Sequence, residues 1–242
     1  MSPKRDRPGT LYLLPNLLGA VEPEAVLPAR TIAIARGLRH FIAETPKAAR
    51  VFVKSLSPEH ALQEMAFAEL NEHTPPQHVA TLLGPILGGE DAALVSDAGC
   101  PGVADPGALV VAAAHRLGVR VVPLVGPSAI LLALMASGFN GQNFVFHGYL
   151  PVGAEPRLAA LRALDAAIAR SGATQLFIET PYRNEAMVNA VLAACRPQTR
   201  FCVAADLTLS TERIVSRSIA QWRSEPRSNF ARSPAMFLLG ND

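Results

Sequence analysis

Hydrophobic positions fall into two kinds of block along the chain. Short continuous apolar runs alternate with longer stretches in which apolar residues recur three or four apart, and Pro, Gly, Asn and Ser punctuate the joins. Thr10–Leu14, closed by Pro15 and Asn16, reads as a first buried strand feeding a loop. Pro28–Leu38 has near-helical spacing, His40–Ala43 reads as a strand, and Pro46–Lys54 opens with Pro at a first helical position. Ala66–Leu70 predicts a short strand, Pro76–Leu87 a helix ended by Gly88 and Gly89, and Ala92–Ser96 a strand. Pro106–Leu117 predicts a helix with Gly118 at its C-terminal cap, and Arg120–Leu124 returns as a strand. This β-then-α alternation implies parallel strands joined by right-handed crossovers.

Gly126 and Pro127 introduce a change. Ser128–Ala136 is apolar almost all round, which predicts a buried helix linking two halves and puts a domain boundary there, 1–125 against 126–242. Phe144–Tyr149 and Gln175–Glu179 read as strands, Glu155–Arg170 as an amphipathic helix and Glu185–Ala194 as another. Arg200–Ala205, Arg213–Ser218 and Ala235–Leu239 read as strands with only a short helix near Trp222, a pattern that predicts antiparallel members in a mixed sheet. The fold class is α/β in two domains, the first with a mostly parallel sheet and the second with a mixed one.

Composition narrows the function classes. With half its 242 residues hydrophobic and 17% charged, the chain is not disordered. Aromatics make up only 6%, which predicts cores built from Ala, Val, Leu and Ile. Net charge is +2, far from the balance of a dedicated nucleic-acid binder, so any RNA contact must be local. Three cysteines without a C-x-x-C pair fit reduced thiols in a cytoplasm, and neither they nor the six histidines have metal-ligand spacing. The first ten residues lack the apolar core of a signal peptide, and no apolar stretch approaches the roughly 20 residues of a membrane span. The expectation is a soluble cytoplasmic protein without metal or membrane attachment.

Four segments are dense in candidate chemistry. Ser96–Gly107 reads S-D-A-G-C-P-G-V-A-D-P-G between a strand and a helix, where open α/β sheets bind ligands. Gly99, Gly102 and Gly107 allow positive φ or close backbone approach, and Pro101 and Pro106 stiffen the path. An ordinary glycine-rich loop with Asp105 as a cap fits the same letters. Val125–Ala129 offers a second wall, or a plain turn with Ser128 near a helix start. Phe177–Arg183 gathers Glu179, Thr180, Tyr182 and Arg183 at a strand end, where an exposed Glu179–Arg183 pair is the simpler account. Glu69–Thr74 sets Asn71 and Glu72 after a short strand, or forms a solvated loop. Neither G-x-G-x-x-G, nor the phosphate-binding P-loop, nor the G-x-S-x-G elbow of hydrolases occurs.

Taken in order, T-L-Y-L-L-P from Thr10, the Ser96–Gly107 segment, V-V-P-L-V-G-P-S-A from Val121, H-G-Y-L-P from His147, F-I-E-T-P-Y-R from Phe177 and A-D-L-T from Ala205 resemble the class III S-adenosylmethionine-dependent methyltransferases, the tetrapyrrole methylase superfamily. The chain is most similar to the branch containing ribosomal RNA small subunit methyltransferase I, which methylates a cytidine ribose 2′-hydroxyl of 16S rRNA. The resemblance implies a cofactor cleft between two α/β domains, S-adenosylmethionine as cofactor with S-adenosylhomocysteine as product, and a homodimer. By motif position it assigns Leu18, Cys100, Pro101, Gly102, Val103, Ser128, Ala129, Glu179 and Thr180 to the cofactor pocket, with Ala205, Pro234 and Ala235 on the adenosine side. Glu44, Asn71, Glu72 and Arg183 are the substrate-side candidates, and the catalytic residue is left unassigned.

Two departures bear on the acceptor. Glu44-Thr45-Pro46-Lys47 keeps the Glu of the ribosomal branch's E-D-T-R-like segment and loses the Asp after it, and the expectation is that the chain ends with its last sheet strand, without that branch's C-terminal extension. Ribosomal RNA is the expected acceptor, with Arg183, Lys47, Arg50 and the tail arginines Arg213, Arg217, Arg223, Arg227 and Arg232 as a local basic rim. A small tetrapyrrole-like acceptor, or a module that binds the cofactor without turnover, is the alternative.

Overall fold

The computed structural model describes residues 7–71, 73–224, 230 and 232–241. The chain divides into two compact units, Met1–Ser128 and Ala129–Asp242. In the first, β1 (Thr10–Leu14), β2 (His40–Ala43), β3 (Ala66–Glu69), β4 (Ala92–Val95) and β5 (Arg120–Pro123) form one sheet in the order β3-β2-β4-β1-β5. Every pairing in it is parallel. Alternate residues of β1 and β4 enter two different cores: Leu11, Ala92 and Leu94 pack with Ile86 and Val110, while Leu14, Ala93 and Val95 pack with Ile32 and Phe52. Burial on both faces is why these strands read as unbroken apolar runs.

Helices cover both faces: α1 (Pro23–Val26), α2 (Ala29–Arg36), α3 (Pro46–Ser55), α4 (Pro76–Val79), α5 (Gly84–Leu87) and α6 (Gly107–Arg116). The single helix expected over Pro76–Leu87 is instead two one-turn helices separated by a 3-10 turn at Ala80–Leu83. Pro85 has no N–H to give and its ring crowds the carbonyl four residues earlier, so a continuous helix cannot pass through Gly84-Pro85. Gly118 has φ +67 after α6, as a helix-ending glycine should.

The second unit opens with α7 (Ala129–Ser137), continues through β6 (Phe144–Tyr149), α8 (Ala154–Ser171), β7 (Thr174–Ile178), α9 (Asn184–Ala194), β8 (Arg200–Ala205), β9 (Arg213–Ser218) and α10 (Ile219–Ser224), and closes with β10 (Ala235–Gly240). Its sheet order is β6-β7-β10-β8-β9, with β6 and β7 parallel and the rest antiparallel. Two expectations need correction. The apolar helix α7 is buried only along one side, through Ala133, Leu134 and Ser137, whereas Met135 is 78% exposed and Leu131 52%. The core is also more aromatic than composition predicts: Phe177 and Phe201 both stack on Phe237, Trp222 tilts against Phe201, and its indole N–H donates to the Phe201 carbonyl. A low aromatic total says nothing about how those few rings are distributed, and this unit concentrates them.

One buried charge ties the core to the surface. Asp165 on α8 accepts hydrogen bonds from Arg196 Nε at 2.7 Å and from the Thr199 hydroxyl. Burial pushes its pKa up, but the Arg196 and Thr199 hydrogen bonds and the Arg196 charge together outweigh this and hold it below the ordinary carboxylate value. A carboxylate held low in the folded chain stabilises it fully above the unfolded-state pKa of about 4, and that contribution is lost as pH falls through the folded value. Asp165→Ala is expected to cost about 2 kcal/mol at pH 7, because charge-assisted hydrogen bonds are lost, with a smaller difference in acid. Urea unfolding of both proteins at pH 7 and pH 3 measures it.

Candidate active site

Because all five strands of the first unit run the same way, their carboxyl ends share one edge, and β4 and β1 lie side by side at its centre. The loops leaving them are joined by a short backbone bridge: Asn16 N–H donates to the Gly99 carbonyl at 2.9 Å and Gly99 N–H to the Asn16 carbonyl at 3.2 Å. The buried Asn16 side chain donates to the carbonyls of Ser96 and Asp97. Gly99 has φ +69, and a Cβ there would press on Leu18 at 3.3 Å, so only glycine lets the two loops meet this closely. Cys100 Sγ reaches the Pro127 carbonyl at 3.5 Å, which draws in the loop after β5. Burial pushes the Cys100 thiol pKa up, so this group is a packing and contact residue, not a thiolate nucleophile. Leu18, the Gly99–Val103 loop and the segment ahead of Ser128 therefore converge.

Asp105 sets the shape of that loop. Its carboxylate accepts from Gly102 N–H at 2.9 and 3.0 Å and from Gly107 N–H at 2.7 Å, which folds residues 102–107 into a closed turn at the start of α6. Gly102 at the crown of the turn has φ +83, and Ala104 beside it φ +61. Desolvation raises the Asp105 pKa against the pull of the two amides, and the nearby Asp97 charge raises it further. Glu44, at the end of β2, lines a small pocket with Ser96, Pro101 and Asp105. Thr45 donates its hydroxyl to Asp97 Oδ2 at 2.7 Å.

In the second unit, register brings another group together. Ala205 at the end of β8 pairs with Ala235 at the start of β10, whose next residue Met236 pairs with Ile178 of β7. The Asp206 N–H donates to the Pro234 carbonyl at 2.9 Å, so Ala205, Pro234 and Ala235 adjoin the segment after β7. Ala205 is fully buried in the core and Pro234 is exposed. Glu179 and Arg183 form the expected ion pair at 2.7 Å, yet it is not a surface pair: the Glu179 side chain is 1% exposed. Glu179 Oε1 also accepts the Thr180 N–H and hydroxyl, while Oε2 is buried with no hydrogen-bond partner among the described residues. A buried carboxylate oxygen in that condition is a ready acceptor for a ligand N–H or O–H.

The substrate-side residues are less uniform. The Asn71 side chain is spent locally, donating to Glu69 and accepting the His73 N–H. Arg183 holds Glu179 and Thr180 and lies over the Tyr182 ring. Among the tail arginines, Arg223 is anchored on the carbonyls of Leu192 and Cys195, Arg213 lies over Phe230 and Arg217 over Trp222. Glu72 and Arg227 lie outside the described residues. Sequence reasoning missed Asn16, Thr45 and Asp97, although an Asn directly after the strand-ending Pro15 is a local signal for the first. Among the described residues no group of three or more His, Cys, Asp or Glu gathers, and no helix is long and apolar enough to cross a membrane.

Residues 27–222 match the family described as Tetrapyrrole (Corrin/Porphyrin) Methylases. The chain is 31% identical over 218 residues to ribosomal RNA small subunit methyltransferase I of Pseudomonas aeruginosa, covering 88% of this chain and 71% of the relative. The protein of the same name from Mesorhizobium japonicum is 39% identical over 142 residues, or 59% of this chain and 47% of the relative. The chain thus spans about half to seven tenths of the length of these two relatives. Among solved structures, the methyltransferase CobJ superposes with a TM-score of 0.63 at 17% identity, covering 96% of this chain and 94% of the other. A uroporphyrin-III-C-methyltransferase from Thermus thermophilus gives 0.56 at 16%, covering 96% and 92%. Both likenesses show the fold.

Proposed function

Since the chain belongs to the tetrapyrrole (corrin/porphyrin) methylases, a family of methyltransferases, we propose that it takes a methyl group from S-adenosylmethionine and delivers it to a ribose 2′-hydroxyl of small-subunit ribosomal RNA. The observation that carries the cofactor is the clasped glycine loop: Gly99 and Gly102 at positive φ, pinned by Asp105 and touching Leu18 and the Pro127 carbonyl, form a cradle without a basic nest. That suits a ligand with no phosphates, whose adenine and amino-acid ends need amides, carbonyls and close packing. The second unit offers an acceptor of its own, the buried Glu179 Oε2 that has no hydrogen-bond partner among the described residues. The proposed contacts are Leu18, Cys100–Val103, Ser128 and Ala129, together with Glu179, Thr180, Ala205, Pro234 and Ala235. The acceptor rests on the sequence likeness to relatives named for ribosomal RNA, at 31% and 39% identity against 17% and 16% for the two solved structures.

Bound S-adenosylmethionine supplies an electrophilic methyl on a sulfonium. When bound it would present that methyl to the acceptor hydroxyl, whose proton would pass to solvent or to Glu44, which lines the small pocket with Pro101 and Asp105. Alignment and exclusion of water carry the catalysis, so no nucleophilic side chain is needed. The chain acts in the cytoplasm as a homodimer, with the exposed Leu131 and Met135 of α7 and the exposed Phe144, Val145 and Tyr149 of the edge strand β6 as the surface a second copy covers.

Calorimetry and light scattering test this reading. S-adenosylmethionine and S-adenosylhomocysteine are expected to bind at one site per chain, and the protein to scatter with twice the 25.7 kDa chain mass at micromolar concentration. Absence of both heat and thermal shift at millimolar ligand overturns the cofactor, and a monomer mass overturns the dimer.

A further inference from the structure

Beside the clasped loop, the first unit carries an open groove of about 850 Å³ that none of the proposed cofactor contacts except Leu18 uses. Leu17, Leu18 and Val21 supply apolar lining from the loop after β1, and Ala48, Val51 and Phe52 supply it from α3. Val51 is 68% exposed in the opening, and the Thr45–Asp97 hydrogen bond joins the start of α3 to the S-D-A-G loop. The helix that forms this wall is basic. α3 carries Lys47, Arg50 and Lys54 and no acidic residue, all three are exposed, and their spacing sets them along one helix face. Lys47 lines the groove itself, and Arg50 is held over the Phe67 ring at 5.0 Å. The acids in the lining, Glu22 and Asp97, come from the loops and not from the helix.

We propose that the exposed face of α3 binds the phosphate backbone of RNA and that the groove beside it receives one nucleotide of that strand. The inference rests on the RNA reading above and adds the surface that performs it. Three exposed cations on one helix face without a neighbouring acid on that helix complement a polyanion. The groove has the size of a small-ligand pocket, with apolar walls for the face of a base and hydroxyl and carboxylate groups for a ribose. Leu18 lines the groove and also meets Gly99, so a nucleotide seated there adjoins the loop assigned to the methyl donor. Of the tail arginines, Arg223 is occupied by the carbonyls of Leu192 and Cys195, whereas Lys47, Arg50 and Lys54 stand together on one face of α3, which makes α3 the leading part of the basic rim expected from the sequence.

The test compares the wild-type chain, a Lys47→Ala/Lys54→Ala double variant and Val51→Trp for 16S rRNA binding across a salt series and for methyl transfer to that RNA. Thermal melting and S-adenosylmethionine affinity serve as controls. The double variant should weaken RNA binding about tenfold at moderate salt and lower the slope of log affinity against log salt by about 1.4 to 1.8, two phosphate contacts' worth. Val51→Trp should keep the wild-type salt slope and lose most of the transfer rate, because the indole fills the groove. A double variant with the wild-type slope and KM, or a Val51→Trp variant with undiminished transfer, overturns the assignment while leaving the RNA reading intact. A wild-type chain that binds no RNA in a salt-dependent way removes both.

Discussion

Gly102→Glu is expected to abolish S-adenosylmethionine binding, lowering affinity by more than about a hundredfold, while the protein stays folded. The position has φ +83, which costs a residue with a Cβ roughly 1–2 kcal/mol. The Cβ itself meets nothing closer than the Ala108 backbone nitrogen at 3.8 Å, so the turn has room for the first atom of the side chain. Neighbouring Ala104 already holds φ +61, which shows that the loop tolerates such a backbone. The carboxylate and its stem must then extend into the space ahead of the turn, where the cofactor is proposed to lie. Calorimetry with S-adenosylhomocysteine, paired with a melting curve, separates the two effects. Wild-type affinity in this variant would mean that the cofactor does not lie against this turn.

Gly107→Ala should damage the same loop from the inside. A Cβ there would sit 2.7 Å from Asp105 Oδ1, 2.9 Å from the Gly102 backbone nitrogen and 3.0 Å from Leu94 Cδ2. Two of these neighbours are the partners of the clasp and the third is a core side chain of β4, so none can retreat freely. Either the Asp105 hydrogen bonds open or α6 moves off the sheet. Overpacking of this kind costs about 1–3 kcal/mol, and the cofactor affinity should fall about tenfold through the displaced Gly102. Denaturant unfolding together with ligand titration reads both. A variant unchanged in each would mean that the clasp does not shape the site.

How much of this was legible in the sequence depended on how local the cause is. The parallel sheet was legible because its central strand is buried on both faces, so A-A-L-V of β4 appears as a bare apolar run. The helix end at Gly118 was local too, the glycine taking the left-handed conformation that ends a helix. The break at Gly84-Pro85 was equally local, and the helical spacing across it masked it. The loops of the site stood out through their glycines and prolines, and the Asp105 cap could be read from its place before Pro106. What could not be read was pairing across the chain. Asn16 finds Ser96 and Gly99 some 80 residues away, and Thr45, which ought to cap α3, gives its hydroxyl to Asp97 instead. Glu179 looked like half of an exposed pair because nothing near it in sequence reveals that its side chain is buried.

Methyl transfer from S-adenosylmethionine to ribosomal RNA is the activity proposed for this chain. Its most direct test is incubation with methyl-labelled S-adenosylmethionine and, separately, 30S subunits, naked 16S rRNA and a panel of tetrapyrroles, followed by nuclease digestion and chromatography of the labelled product. Label is expected in the RNA, recovered as a ribose-methylated nucleoside and lost with Gly102→Glu. Label on a tetrapyrrole alone, or on none of the acceptors, would contradict it.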